Sequence, residues 1–492
     1  LDWWDTLDIY WHEITAWGAL IHFALVVFTV GVILTIKKDT TSAIAWCLFV
    51  FFFPFPFVGA GVFYLLGYQH VHRPLSRRVR QRQRFRVTHP SGPAAAVPGG
   101  PVETTDLGDW DRLAALARRL DAFPLTIGNQ VEFYFEGPPA YDAMLAAIHS
   151  AQHHIHLEFF IVQPDEAGRL FVAALAEKAR AGVEVRLIYD AMGSHRLDRA
   201  TLQPLRDAGG QAFAFMPVSL MQRRMQVNLR NHRKILVVDG KVAFTGGLNI
   251  GDEYVGKVAY FGFWRDTHLR LEGPAVAGLQ RVFIEDWDFS AGQHLKADAY
   301  FPPTAGDAEH GTPVQVIYSG PDQAINSIRE VYFAAILAAR EKLWIATPYF
   351  VPDAGVYDAL CLAGRRGVDV RLLCQFHPDK WIPYFAGRYY FSDVLAAGVK
   401  VYQYTRGMMH SKVMLVDGQW ASVGSANLDN RSMHLNFEVN CLFYAAGKVA
   451  ELETAFRRDL EGSIQLQPEV FAERPFTGRL IENACRLLSP VL

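Results

Sequence analysis

The sequence predicts a duplicated α/β body, two similar halves packed about a pseudo-twofold axis, behind an N-terminal helical hairpin that crosses a membrane twice. Three observations carry this. Residues 1–72 hold two long stretches without charge, the rest of the chain repeats its own order of strands and helices, and one short pattern recurs. His-x-Lys-x-x-x-x-Asp is found in NHRKILVVDG at 231–240 and again in MHSKVMLVDG at 409–418. With 492 residues the chain exceeds one ordinary hydrophobic core, so a membrane region and two domain-sized halves, 108–305 and 306–492, are expected.

The first stretch, residues 14–36, has no Lys, Arg, Asp or Glu. At about 1.5 Å per residue it is long enough for a hydrocarbon layer of about 30 Å. The second, residues 40–69, follows after KKD and contains Pro54 and Pro56, which should kink or interrupt a helix. Asp2, Asp5, Asp8 and Glu13 precede the first stretch, so a cleaved signal peptide with its basic start does not fit. Residues 73–86, RPLSRRVRQRQRFR, hold seven arginines and no acid. Such a run is expected on the cytoplasmic side against anionic headgroups, outweighing Lys37 and Lys38 in the hairpin turn. Residues 87–105 are rich in Pro, Gly and Ala and read as a linker, which closes a juxtamembrane segment at 73–107.

A net charge of −2 leaves no nucleic-acid footprint on the chain as a whole. The five cysteines, Cys47, Cys361, Cys374, Cys441 and Cys485, show no ligand-like spacing and read as buried thiols in a reducing compartment.

Self-similarity goes beyond the two decapeptides. IHLEFFIVQPD at 155–165 is echoed by LWIATPYFVPD at 343–353, and GVEVRLIYD at 182–190 by GVDVRLLCQ at 367–375. A helical pattern precedes each GV-x-VRL strand. Each half therefore runs strand, helix, strand, a further segment, the His-Lys-Asp strand and a Gly/Asn turn, which implies a mostly parallel or mixed sheet covered by helices.

Within the repeated motif, strand alternation places His232 with Lys234, and His410 with Lys412, on one face. Asp239 and Asp417 fall near the turn on the other face and are expected to be structural. Seventeen residues past each histidine stands an asparagine, Asn249 in TGGLNIG and Asn427 in GSANLDN. If the halves meet at the axis, two imidazoles, two ammonium groups and two amides share one pocket. That set suits phosphodiester transfer without a metal: one imidazole attacks phosphorus, the other protonates the departing oxygen, and lysines and asparagines stabilise the non-bridging oxygens. No Asp/Glu cluster, HExxH or CxxC points to a metal, and His153, His154 and His156 do not share one strand face. No cofactor is implied.

These motifs resemble the phospholipase D superfamily, from about residue 108 to the end. NLRNHRKILVVDG, FWRDTHLRLEGPAV, TPYFVPD and GSANLDNRS look like its bacterial cardiolipin synthase branch, as does the preceding hairpin. The resemblance implies a pseudo-twofold α/β/α sandwich of two phospholipase D-type domains, with His232 and His410 as nucleophile and acid/base; spacing does not say which attacks, and analogy favours His232. It places Lys234, Asn249, Lys412 and Asn427 on the phosphate and makes Asp266 and Glu438 candidates to orient the histidines. It places Glu158 near the pocket; Arg230, with Arg223 and Arg224, stands beside the first motif in a basic stretch suited to acidic headgroups, and Arg233 and Ser425 are further candidate substrate contacts. Residues 381–391, WIPYFAGRYYF, are dense in aromatics that suit a membrane interface, a helical core, or both.

The implied activity is a multi-pass phosphatidyltransferase of the bacterial inner membrane, its catalytic body in the cytoplasm. Two phosphatidylglycerol molecules would give cardiolipin and glycerol through a phosphohistidine. Its partners would be phosphatidylglycerol and anionic lipids rather than nucleic acid, with homo-oligomerisation open. A hydrolytic phospholipase D, or a transferase using another lipid such as phosphatidylethanolamine, would carry the same pocket, and a metal-independent nuclease is the distant alternative.

Overall fold

Apolar runs of four or five residues, each closed by a turn-forming Asp-Gly pair, build the two motif strands, and longer amphipathic segments build helices that cover the sheets. A computed structural model describes residues 3–36, 40–52, 56–64, 78–79, 107–120, 122–217, 228–295, 297–303 and 311–492. Contacts divide the chain into two compact units, Leu1–Pro74 with Val218–Asn228, and Leu75–Pro217 with Leu229–Leu492.

The first unit contains the helices Trp3–Ile36, Thr40–Phe52 and Pro56–Val62. The second helix stops before Pro54 and a new one opens at Pro56, a position where the missing N–H costs nothing. Val26, Ile33, Ala43, Val50 and Phe63 are buried together between them. Among the described residues no helix is long and apolar enough to cross a membrane; the described side chains of the first helix run unbroken only over 20–36. The two expected spans thus stand as three helices. Lys37, Lys38, Pro54, the linker and all of the arginine-rich run except Arg78 and Val79 lie outside the described residues.

The second unit holds both repeats. In the first repeat the strands are β1 (Thr126–Glu136), β2 (His154–Phe159), β3 (Glu184–Asp190), β4 (Gln211–Phe215), β5 (Lys234–Val238), β6 (Val242–Gly246) and β7 (Phe263–Glu272). In the second they are β8 (Thr312–Ser319), β9 (Lys342–Ala346), β10 (Asp369–Gln375), β11 (Lys400–Tyr404), β12 (Val413–Val416), β13 (Trp420–Gly424) and β14 (Asn436–Phe443). The first repeat pairs in the order β4-β3-β2-β5-β6-β7-β1 and the second in the matching order β11-β10-β9-β12-β13-β14-β8. The crossover pairs β2–β3, β3–β4, β9–β10 and β10–β11 are parallel and the others antiparallel. Antiparallel pairing of β1 with β8, Thr126 opposite Val314, joins the two sheets.

Strands β5 and β12 are buried on both faces, as continuous apolar runs in a helix-covered sheet should be. Leu236 and Val238 face the helices Gly137–Ser150 and Glu166–Arg180 of their own repeat. Ile235 and Val237 face a central core shared with Val413 and Leu415, into which the helices Val276–Ala291 and Ala446–Glu461 also pack.

Two short crossings position the site. Residues 407–409 run parallel to the start of β7, with Met409 opposite Arg265. Residues 230–231 run parallel to the start of β14, with Asn231 opposite Phe437. Each histidine motif thereby enters its own sheet from beside the carboxylate strand of the other repeat.

Candidate active site

His232 and His410 stand in the extended stretches just before β5 and β12, not on the strands themselves, because the preceding residues are taken up by the crossings. The His232 N–H donates to the carbonyl of Phe437 at 2.9 Å and the His410 N–H to that of Arg265 at 2.8 Å. Each ring is thus delivered to the carboxylate one residue further along the opposite repeat. Nδ1 of His232 lies 3.0 Å from Glu438, and Nδ1 of His410 lies 2.7 Å from Asp266.

Glu438 also accepts from Ser425 Oγ at 2.5 Å, Ser432 Oγ at 2.8 Å and Asn436 Nδ2 at 3.2 Å. A carboxylate surrounded by donors accepts from the imidazole too, so Nδ1 carries the proton and Nε2 keeps its lone pair. Asp266 accepts the N–H of Thr267 at 2.7 Å, and Thr267 Oγ1 meets Ser411 Oγ at 2.6 Å, a second tie between the repeats. An aromatic ring flanks each imidazole: Phe160 against His232 and Trp264 against His410.

The lysines turn back onto their own motif. Lys234 Nζ donates to the His232 carbonyl at 2.6 Å; Lys412 Nζ donates to the His410 carbonyl and lies 2.9 Å from its Nδ1. Burial pushes both ammonium groups down, Lys412 to about 8, against the pull of Asp266 and Glu438. Burial, then Lys234, Lys412 and His410, holds His232 well below the usual imidazole range. Burial and Lys412 lower His410 to about 4, Asp266 opposing. The field of both motifs thus falls on one place. The carboxylates differ: burial raises Glu438, whereas Lys412 and His410 overcome burial to hold Asp266 below the ordinary value.

The two asparagines are not equivalent. Asn249 Oδ1 accepts the Ile161 N–H at 3.1 Å and its Nδ2 donates to Tyr254 OH at 3.0 Å. The N–H of Asn427 donates to Ser432 Oγ at 3.1 Å, and its Oδ1 is buried without a partner among the described residues.

Asp239 and Asp417 face away from the histidines, at the turn, with φ of 54° and 49°. The Asp239 carboxylate accepts the N–H groups of Gln152, His153 and His154, and that of Asp417 accepts those of Arg340, Glu341 and Lys342, at 2.8–2.9 Å. They hold the start of the neighbouring strand. His154 and His156 are buried against Gln280, Phe283 and Tyr300, and among the described residues no three His, Cys, Asp or Glu are grouped to hold a metal.

The four expected substrate contacts each have a partner within the protein. Arg233 donates to Asp286 at 2.5 Å, to the Ser319 carbonyl at 3.1 Å and to the Glu438 carbonyl at 3.2 Å. Ser425 holds Glu438. Glu158 is buried with Asn231 donating to it, and burial beside Asp286 raises it well above the carboxylate range. Arg230 is buried with Asp190 at 3.4 Å. In each case a polar residue beside the motif meets a buried partner within the protein. Arg223 and Arg224 lie outside the described residues. Of residues 381–391, Trp381 and Ile382 are exposed at 64% and 45%, while Ala386, Gly387 and Phe391 are buried.

Ser432, Asn436, Phe160 and Trp264 were not singled out in the sequence. Ser432 and Asn436 lie within the same GSANLDNRSMHLNFE run as Asn427, and Trp264 directly before Arg265 and Asp266, so nearness to the motif was the available signal.

The family model "Cardiolipin synthase, PLD-like domain" matches residues 144–286 and 332–460, each span holding one His-Lys-Asn set. The chain is 42% identical over 474 residues to a cardiolipin synthase of Geobacillus kaustophilus (strain HTA426), covering 95% of this chain and 92% of that protein. It is 44% identical over 392 residues to a cardiolipin synthase of Geobacillus sp. (strain WCH70), covering 80% and 78%. Among solved structures, phosphatidylserine synthase of Haemophilus influenzae Rd KW20 shares the fold, with a TM-score of 0.60 at 16% identity over 78% of this chain and 100% of that one. The chain belongs to the cardiolipin synthase family of phospholipase D-like proteins.

Proposed function

We propose that the chain is a phosphatidyltransferase that makes cardiolipin and glycerol from two phosphatidylglycerol molecules. The observation that carries this is the crossed pair, His232 with Glu438 and His410 with Asp266, each beside its own lysine. Family membership supplies the lipid chemistry.

His232 attacks the donor phosphorus through Nε2. The bond to glycerol breaks, and glycerol leaves with a proton from His410. Neutral His410 then takes the proton of a second phosphatidylglycerol's free hydroxyl, whose oxygen attacks the phosphohistidine and frees His232. Lys234, Lys412, Asn249 and Asn427 serve the non-bridging oxygens, with Asn249 held by Tyr254. The carboxylates favour these roles: Lys412 and His410 hold Asp266 below its ordinary value beside His410, while burial raises Glu438 beside His232.

Before a donor binds, the Lys412 and Lys234 ammonium groups disfavour a charged His410. A bound phosphodiester anion cancels that field and lifts His410 into its protonated form. Donor binding therefore takes up a proton.

The repeats 108–305 and 306–492 form the catalytic body, and the helices of residues 1–72 its membrane anchor. Supporting the anchor, Trp17, Leu20, Phe23, Phe28 and Leu34 are each more than half exposed on a helix without charge from residue 14 to 36. Alkaline carbonate should leave the chain in the membrane pellet; release into the supernatant would overturn the anchor.

The test of function is a product assay with purified full-length protein, labelled phosphatidylglycerol and EDTA, beside His232→Ala and His410→Ala. Cardiolipin and glycerol, lost in both variants, are expected. Phosphatidic acid would make the protein a hydrolase, and no turnover would refute the donor.

A further inference from the structure

Arg78 is 2% exposed although it belongs to the seven-arginine run that composition marks as a headgroup contact. Its Nη2 pairs with Asp286 and its Nε with Asp322 at 3.0 Å. The guanidinium lies over the rings of Phe437 at 4.6 Å, Phe289 at 5.4 Å and Phe215 at 5.7 Å.

Those partners lead to one of the two histidines. The other oxygen of Asp286 takes Arg233, which donates to the carbonyl of Glu438. The Arg233 guanidinium lies over Phe437 as well, at 5.5 Å. The carbonyl of Phe437 in turn receives the His232 N–H at 2.9 Å. Two guanidinium groups and one shared carboxylate thus fix the backbone at 437–438, which sets both the height and the partner of the His232 ring. On the His410 side, Arg265 and Asp459 form the nearby ion pair at 2.7 Å.

We propose that Arg78 is a positioning residue for His232, acting through Asp286, Arg233 and the 437–438 backbone, so that Arg78 completes one half of the active site. Without Arg78, Arg233 faces the Asp286 carboxylate without the second guanidinium and is drawn off the Glu438 carbonyl. This rests on the phosphatidyl-transfer reading for its kinetic consequence, but the geometry of His232 can be read without turnover.

Full-length Arg78→Ala and Arg78→Lys are compared with wild type in mixed micelles. In Arg78→Ala, kcat should fall on the order of tenfold to a hundredfold, the scale of a misplaced catalytic group, while KM for phosphatidylglycerol stays within about twofold. Guanidinium at low millimolar concentration, but not sodium chloride at the same ionic strength, should restore part of the rate, and Arg78→Lys should fall between. The second readout is the rate at which diethyl pyrocarbonate modifies His232, measured by mass spectrometry against His410 in the same molecules. It should change in Arg78→Ala for His232 alone and recover with guanidinium. A raised KM with unchanged kcat would make Arg78 a headgroup contact and overturn the proposal. So would equal changes at both histidines, or a loss of rate that neither guanidinium nor lysine relieves. Failure of wild type to turn over phosphatidylglycerol would refute the transfer reading, while the His232 modification rate would still decide for or against Arg78.

Discussion

Nδ1 of His232 lies 3.0 Å from Glu438 although the two residues are 206 positions apart and belong to opposite repeats. His410 and Asp266 make the reciprocal pair at 2.7 Å. Neither repeat therefore contains a complete histidine–carboxylate unit, and each depends on the interface between them.

The two carboxylates should not respond alike. Asp266→Asn and Glu438→Gln each permit the amide to donate to Nδ1, which puts the proton on the wrong ring nitrogen, and each should lower kcat by about 10²–10⁴-fold. An activated leaving group such as p-nitrophenol needs no proton. Phosphatidyl-p-nitrophenol should therefore recover much of the first step in Asp266→Asn and little of it in Glu438→Gln. Burst-phase nitrophenol release checks this, and equal bursts would contradict the assignment of roles.

Lys412 sets an alkaline limit. Burial brings its ammonium to about 8, below the ordinary lysine value of 10.5, so the charge that faces the phosphate is lost as pH rises through about 8. The profile of kcat/KM should fall above that point, whereas the limb of kcat should lie higher because bound phosphate holds the proton on. In Lys412→Arg, which stays charged, the alkaline limb of residual activity should move upward. An unmoved limb would assign the titration to another group.

Asp239 and Asp417 are predicted to matter for folding and not for chemistry. Each carboxylate gathers three backbone N–H groups, and an asparagine tolerates the same left-handed backbone but cannot serve all three as well. Asp239→Asn or Asp417→Asn should cost about 1–3 kcal/mol of stability, seen as a lowered melting temperature, with kcat of the folded fraction retained. A loss of kcat at unchanged stability would contradict this.

The repeat, the order of strands and the position of both histidine motifs were legible because they rest on local patterns: apolar runs, Asp-Gly turns and fixed spacing. The carboxylates Asp266 and Glu438 were legible as residues, but their exchange between repeats was not, since it depends on strands 230–231 and 407–409 crossing to the opposite sheet. The partners of Arg233, Ser425 and Glu158 were not legible for a related reason. A charged or polar residue beside a phosphate motif looks like a ligand contact until the chain brings Asp286, Glu438 or Asn231 against it. Arg78 shows the same limit at long range: its six companion arginines made it look like a lipid contact, and only Asp286 and Asp322, more than 200 residues away, account for its burial.

On this account His232 carries the phosphatidyl group while His410 moves the proton. Wild-type protein mixed with labelled phosphatidylglycerol, quenched in base within the first turnover and digested for mass spectrometry, tests it directly. A phosphatidyl adduct on the peptide containing His232, lost on acid treatment, is the predicted result; the adduct on His410, or no covalent adduct during turnover, would contradict it.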